Sequence, residues 1–145
     1  MLVKQILAAK PNGNEVLTIA PEATLAEAAA LLAARRIGSL VVSEDGTTPL
    51  GILSERDIVR EVGRQGSACL ARSVGEIMTR KVSTTRPDED ADSVLRKMTE
   101  GRFRHLPVME EGRMIGLISI GDVVKARIDE LAMEKQALEG MIMGH

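Results

Sequence analysis

The sequence predicts an α+β fold: two β-α-β-β-α repeats packed sheet against sheet about a pseudo-twofold axis. Three observations lead there. The chain reads twice, each reading interleaves short apolar runs with helical stretches, and each is too small to bury both faces of its own sheet. VLTIAPEATLAEAAALLAARRIGSLVV, starting at Val16, aligns with VSTTRPDEDADSVLRKMTEGRFRHLPV, starting at Val82. Thr18 matches Thr84, Pro21 matches Pro87, Leu32 matches Met98 and Ile37 matches Phe103. Gly51-Ile52-Leu53-Ser54-Glu55-Arg56-Asp57 then lies over Gly116-Leu117-Ile118-Ser119-Ile120-Gly121-Asp122. The lead-ins agree as well: Val3, Ile6, Leu7 and Lys10 pair with Val74, Ile77, Met78 and Lys81, with PNGNE inserted in the first copy. The division is residues 1–66, residues 67–131, and a helical extension over 132–145.

Each copy has the same order of elements. A short strand (Val16 to Ile19; Val82 to Thr85) leads through proline into a helix. Thr24 with Glu27 makes a capping box for the first of these helices, and Asp88, Glu89 and Asp90 favour the positive end of the second. Strands follow at Ser39 to Val42 and His105 to Met109, then EDG or EEG turns, then strands at Leu50 to Leu53 and Met114 to Ile118. Two strands joined by such turns read as a hairpin. A closing helix starts at Ser54 and at Ser119. The linker falls near Gly63 to Arg72, and the last helix runs on from Asp122 to Met143. Its row of Val124, Ile128, Leu131, Leu138 and Ile142, with Met133, Met141 and Met143, is expected to pack against a second copy.

Composition narrows the function. The 145 residues include 19 basic and 21 acidic side chains, net −2, which gives no bias toward nucleic acid or an acidic membrane surface. One Phe and no Tyr or Trp leave almost nothing on which single-stranded bases could stack. The longest apolar run, Ala28 to Ala34, is far short of a membrane span, and the N-terminus lacks the apolar stretch of a signal peptide. A cytoplasmic location is therefore expected. Cys69 is the one cysteine, which excludes an internal disulfide and a cysteine-based zinc cage; in the linker it reads as a bystander thiol. Asp88, Asp90 and Asp92 mimic the start of a calcium loop, but Ser93 and Thr99 stand where the required Gly and Glu belong. No GxxxxGK[ST], GxGxxG, HExxH or GxSxG occurs.

The duplicated G-h-h-S-x-x-D segment is the sharpest feature. Backbone N–H groups at a helix start, with the Ser hydroxyl, form an anion site, and an Asp in the first turn can accept both hydroxyls of a ribose. Phosphate and ribose partners side by side imply a nucleotide. The same residues also fit plain capping boxes, Ser54-x-x-Asp57 and Ser119-x-x-Asp122, as does Ser73-x-x-Glu76. Either reading is compatible with a duplication.

Both segments, the RIGSLVV and RFRHLPV strands, and the lead-in SVGEIMTRKV together resemble a tandem pair of CBS domains, a Bateman module, over roughly Val3 to Leu131. The first copy departs from the pattern in having Val41 where the LPV strand has its proline. The resemblance implies an adenosine-containing ligand: AMP, ADP, ATP, S-adenosylmethionine or a dinucleotide. It places the ribose carboxylates at Asp57 and Asp122 and the neighbouring hydroxyls at Ser54 and Ser119. It also implies that Asp57 faces Phe103, Arg104 and His105, with Arg56 nearby, while Asp122 faces Ile37, Gly38 and Ser39. On that pairing Asp57 would hold polyphosphates better, because Arg104 offers a fixed fork for phosphate. The expectation is a non-catalytic regulatory sensor of adenine nucleotides, homodimeric, with an unidentified regulated protein. It has no obligatory cofactor, metal, nucleic acid or membrane partner. The alternative is a structural or interaction module that dimerises or docks without nucleotide.

Overall fold

The computed structural model describes residues 1–11 and 15–142. The elements are α1 (Val3–Ala8), β1 (Thr18–Ile19), α2 (Leu25–Arg35), β2 (Ser39–Val42), β3 (Gly51–Ser54), α3 (Glu55–Gln65), α4 (Val74–Ile77), α5 (Ala91–Gly101), β4 (His105–Glu110), β5 (Arg113–Ser119) and α6 (Ile120–Ile142). They form a mixed α+β structure with one three-stranded sheet, ordered β1-β2-β3, and one two-stranded sheet, β4-β5. Two compact units emerge, and they do not follow chain order. One comprises Glu15–Ser83 with Glu111–Ile115; the other comprises Met1–Asn14, Thr84–Glu110 and Gly116–His145.

In the Glu15–Ser83 unit, β1 runs parallel to β2, with Thr18 beside Val41, and β2 runs antiparallel to β3, with Ser39 beside Ser54. The Thr24 box caps α2: Glu27 N–H donates to Thr24 Oγ1 at 3.1 Å, and Thr24 N–H to the Glu27 carboxylate at 3.4 Å. The helix ends in the left-handed region at Arg36, φ 54°. The core gathers Leu25, Ala28 and Leu32 of α2, Leu40 and Val42 of β2, Leu53 of β3, Ile58 of α3 and Val74 of α4. Cys69 joins this core at 1% exposure, in a 3-10 turn over Ser67–Ala71. The linker expected around it is therefore packed structure. Apolar burial keeps that thiol from solvent.

The other unit is the second copy's equivalent, with α1 of the lead-in added. Val3 N–H donates to Glu89 O at 2.9 Å and Lys4 N–H to Pro87 O at 3.0 Å, so α1 is pinned ahead of α5. Its Val3, Ile6 and Leu7 are buried, as are Val94 and Met98 of α5, Leu106 and Val108 of β4, Ile118 of β5 and Val123 of α6. Asp90 caps α5 through Ser93 N–H at 2.8 Å. The strand expected over Val82 to Thr85 shrinks to one parallel bridge, Thr85 to Val108. Beside that bridge Glu89 accepts from the Thr85 hydroxyl, the Ser93 hydroxyl and Lys97, and is the hub of a polar network. The Ser73 box is also absent. Ser73 makes no side-chain cap, and Glu76 instead takes Arg72 at 2.9 Å.

The two turns differ as their sequences do. Glu111 and Gly112, both with positive φ (51° and 79°), make a two-residue turn into β5. In the first copy Asp45 organises a longer loop, accepting from Thr47 N–H at 2.8 Å, Thr48 N–H at 2.7 Å and the Ser43 hydroxyl at 3.1 Å. The last helix extends to Ile142; the expected end at Met143 and the Asn12–Asn14 part of the PNGNE insertion lie outside the described residues. No helix among the described residues is long and apolar enough to cross a membrane.

Candidate functional site

Both Ser-x-x-Asp segments form capping boxes at the junction of a strand and a helix. At α3, Asp57 N–H donates to Ser54 Oγ at 3.2 Å, and Ser54 N–H donates to Asp57 Oδ2 at 2.9 Å. At α6 the same bonds measure 3.1 Å, to Ser119 Oγ, and 2.9 Å, to Asp122 Oδ2. The reason is shared: the residue after a β-strand has extended backbone, and a carboxylate three residues on can reach back to its amide. Each box spends one carboxylate oxygen on the main chain. In each, Oδ1 is free of main-chain donors among the described residues.

The residues before each hairpin's first strand are joined to the same helix starts. Gly38 O accepts Glu55 N–H at 2.9 Å, which holds Ile37, Gly38 and Ser39 beside Ser54, Arg56 and Asp57. Arg104 O accepts Ile120 N–H at 2.8 Å, which holds Phe103, Arg104 and His105 beside Ser119 and Asp122. Each of these two bonds links residues of one copy. Within its unit, His105 lies near enough to Asp122 to feel its charge.

The counter-ions differ. Asp57 is buried and meets Arg60 of its own helix at 3.5 Å. Asp122 meets Lys10, whose ammonium lies 3.0 Å from Oδ2 and donates to Leu117 O at 2.8 Å. Burial alone would push the Asp122 pKa up; the Ser119 amide and Lys10 outweigh it and hold the carboxyl below its ordinary value. Burial pushes His105 down, Asp122 partly offsets this, and Lys10 and Arg104 add to the depression. His105 therefore feels the Asp122 carboxylate and the Lys10 and Arg104 cations together. Sequence reasoning aligned Lys10 with Lys81 without assigning it to a site; its position in a lead-in equivalent to SVGEIMTRKV was the available signal.

A groove of about 440 Å³ lies elsewhere in the Glu15–Ser83 unit, between α2 and α3. It includes Ile37, Gly38 and Glu55, but Asp57 does not line it. Among the described residues, no cluster of three His, Cys, Asp or Glu side chains could hold a metal ion.

A CBS-domain family model matches residues 3–64 and again 74–129. The chain belongs to the CBS-domain family. It carries two CBS domains in tandem. It is 37% identical over 125 residues to the mitochondrial CBS domain-containing protein CBSX3 of Arabidopsis thaliana, covering 83% of this chain and 61% of that one. Further Arabidopsis relatives are longer still, the chain spanning 22% of CBSCBSPB5. Among solved structures, a CBS-domain containing protein from Agrobacterium tumefaciens is 45% identical with a TM-score of 0.81, covering 88% of this chain and 99% of that one. The CBS domain pair of protein MJ0100, in complex with 5′-methylthioadenosine and S-adenosyl-L-methionine, is 27% identical with a TM-score of 0.76, covering 90% of this chain and 98% of that one.

Proposed function

We propose that this CBS pair is a non-catalytic regulatory module that binds adenosine-containing ligands at its two Ser-Asp boxes. The observation that carries this reading is the likeness, over nine-tenths of the chain, to a CBS pair holding two adenosyl compounds. The local chemistry supports it. Asp57 and Asp122 each retain an oxygen without a main-chain donor for a ribose hydroxyl, and the Ser hydroxyls at the positive ends of α3 and α6 suit a phosphate. Ligand energy spent at a helix start shifts the population of conformers presented to a regulated protein.

A homodimer belongs to the same proposal. Val59 and Val124, equivalent residues of α3 and α6, are both exposed, and the far half of α6 shows Leu131, Met133, Leu138, Met141 and Ile142 to solvent. Because the exposure recurs in both copies, a second copy of the chain is the occupant that fits it. The ligand reading is tested by a dye-based thermal-shift screen with AMP, ADP, ATP, S-adenosylmethionine and NAD. A bound ligand raises the midpoint as RT ln(1 + [L]/Kd) requires. No shift with any of them at millimolar concentration would leave the docking module as the better account.

A further inference from the structure

The two boxes match in their own hydrogen bonds and differ in what pairs the carboxylate. Arg60, beside Asp57, sits on the same helix, has a side chain 49% exposed, and reaches Oδ1 only at 3.5 Å. Lys10 comes from the other end of the sequence and is held from three directions. Its main-chain amide closes onto Leu7 O, α1 is tied to Glu89 and Pro87, and its ammonium is divided between Asp122 and Leu117 O. Leu7 packs where a Cβ on Gly116 would stand, 3.0 Å from that position, so the glycine lets α1 come close to β5.

We propose that Lys10 is a specificity-determining residue that makes the Asp122 site select phosphorylated adenosyl ligands over uncharged ones, whereas the Asp57 site discriminates little. This rests on the adenosyl reading of the boxes. A ribose hydroxyl taken up at Asp122 Oδ1 draws on the same carboxylate charge that Lys10 holds at Oδ2, and so weakens that pair. An uncharged nucleoside returns nothing to Lys10 for the weakened pair. A phosphorylated ligand gives that ammonium a new anion. The lysine therefore opposes one ligand class and rewards the other. At Asp57, the exposed Arg60 can leave for water at little cost.

Asp57→Ala isolates the Asp122 site for calorimetric titration with AMP and with adenosine. AMP should bind at least about tenfold more tightly than adenosine, the worth of one charge-assisted contact. Adding Lys10→Met should bring the two within about threefold, by weakening AMP and strengthening adenosine, and Lys10→Arg should keep most of the selectivity. Lys10→Gln serves where the Met variant fails to fold, with melting followed by circular dichroism. An unchanged AMP-to-adenosine ratio, or equal weakening of both ligands, overturns the role of Lys10 alone. Absence of binding by either ligand to the unmodified chain overturns the adenosyl reading and this proposal with it.

Discussion

The two copies place the same seven-residue segment at the same strand-to-helix junction, and their capping bonds agree within about 0.1 Å. What surrounds those bonds has diverged. Asp57 meets Arg60 of its own helix, and an exposed Glu55 lies next to Gly38. Asp122 is paired with Lys10, and His105 feels its charge. Duplication preserved the geometry that helix formation demands, and the charges at its edges varied more freely. A cap is fixed by local backbone physics, whereas ligand preference is set by side chains brought in from elsewhere.

The glycines that open the two segments provide the largest contrast. A Cβ on Gly51 would stand 2.6 Å from Met78 Sδ and 2.8 Å from Thr79 O, and that carbonyl accepts Ile52 N–H and cannot move without losing the bridge. The atoms nearest to a Cβ on Gly116 belong to the Leu7 side chain, its two methyl groups at 3.0 Å. Gly51→Ala should cost about 2–3 kcal/mol and Gly116→Ala about 1 kcal/mol in urea unfolding, within the range for overpacking. Equal losses would show that α1 and α4 constrain their strands alike.

A smaller effect separates the copies by pH. Burial holds the folded-state pKa of His105 below its ordinary 6.5, so the unfolded chain binds that proton more readily. Stability is therefore full above this value and falls as pH drops through the folded pKa. Asp122 and Glu89, with depressed pKa values, contribute stability that is lost only below the ordinary carboxylate range. Thermal midpoints measured at about pH 7.5 and 5.5 should fall less in His105→Gln than in the unmodified chain, while His145, common to both, cancels. A parallel decline would mean that His105 titrates as if in solvent.

Much of this was legible in the sequence. The capping residues Thr24, Ser54, Asp90 and Ser119 and the strands at Ser39 and His105 follow from patterns a few residues long, and the repeat confirms each by a second example. The failures are long-range. Ser73 met the box pattern, but its neighbour Thr24 forms a bridge with it and Arg72 takes its glutamate. Cys69 looked like linker because its burial depends on α2 and α3 packing over it. Lys10 lies 107 residues from Leu117, and no local periodicity encodes that reach.

The most direct measurement is the AMP stoichiometry of the unmodified chain, of Asp57→Ala and of Asp122→Ala, taken by calorimetry on proteins verified as folded. Two sites per chain, reduced to one by either substitution, is the predicted result. Undiminished AMP binding in both variants, or none in the parent, would contradict ribose capture by these carboxylates and leave them as helix caps alone.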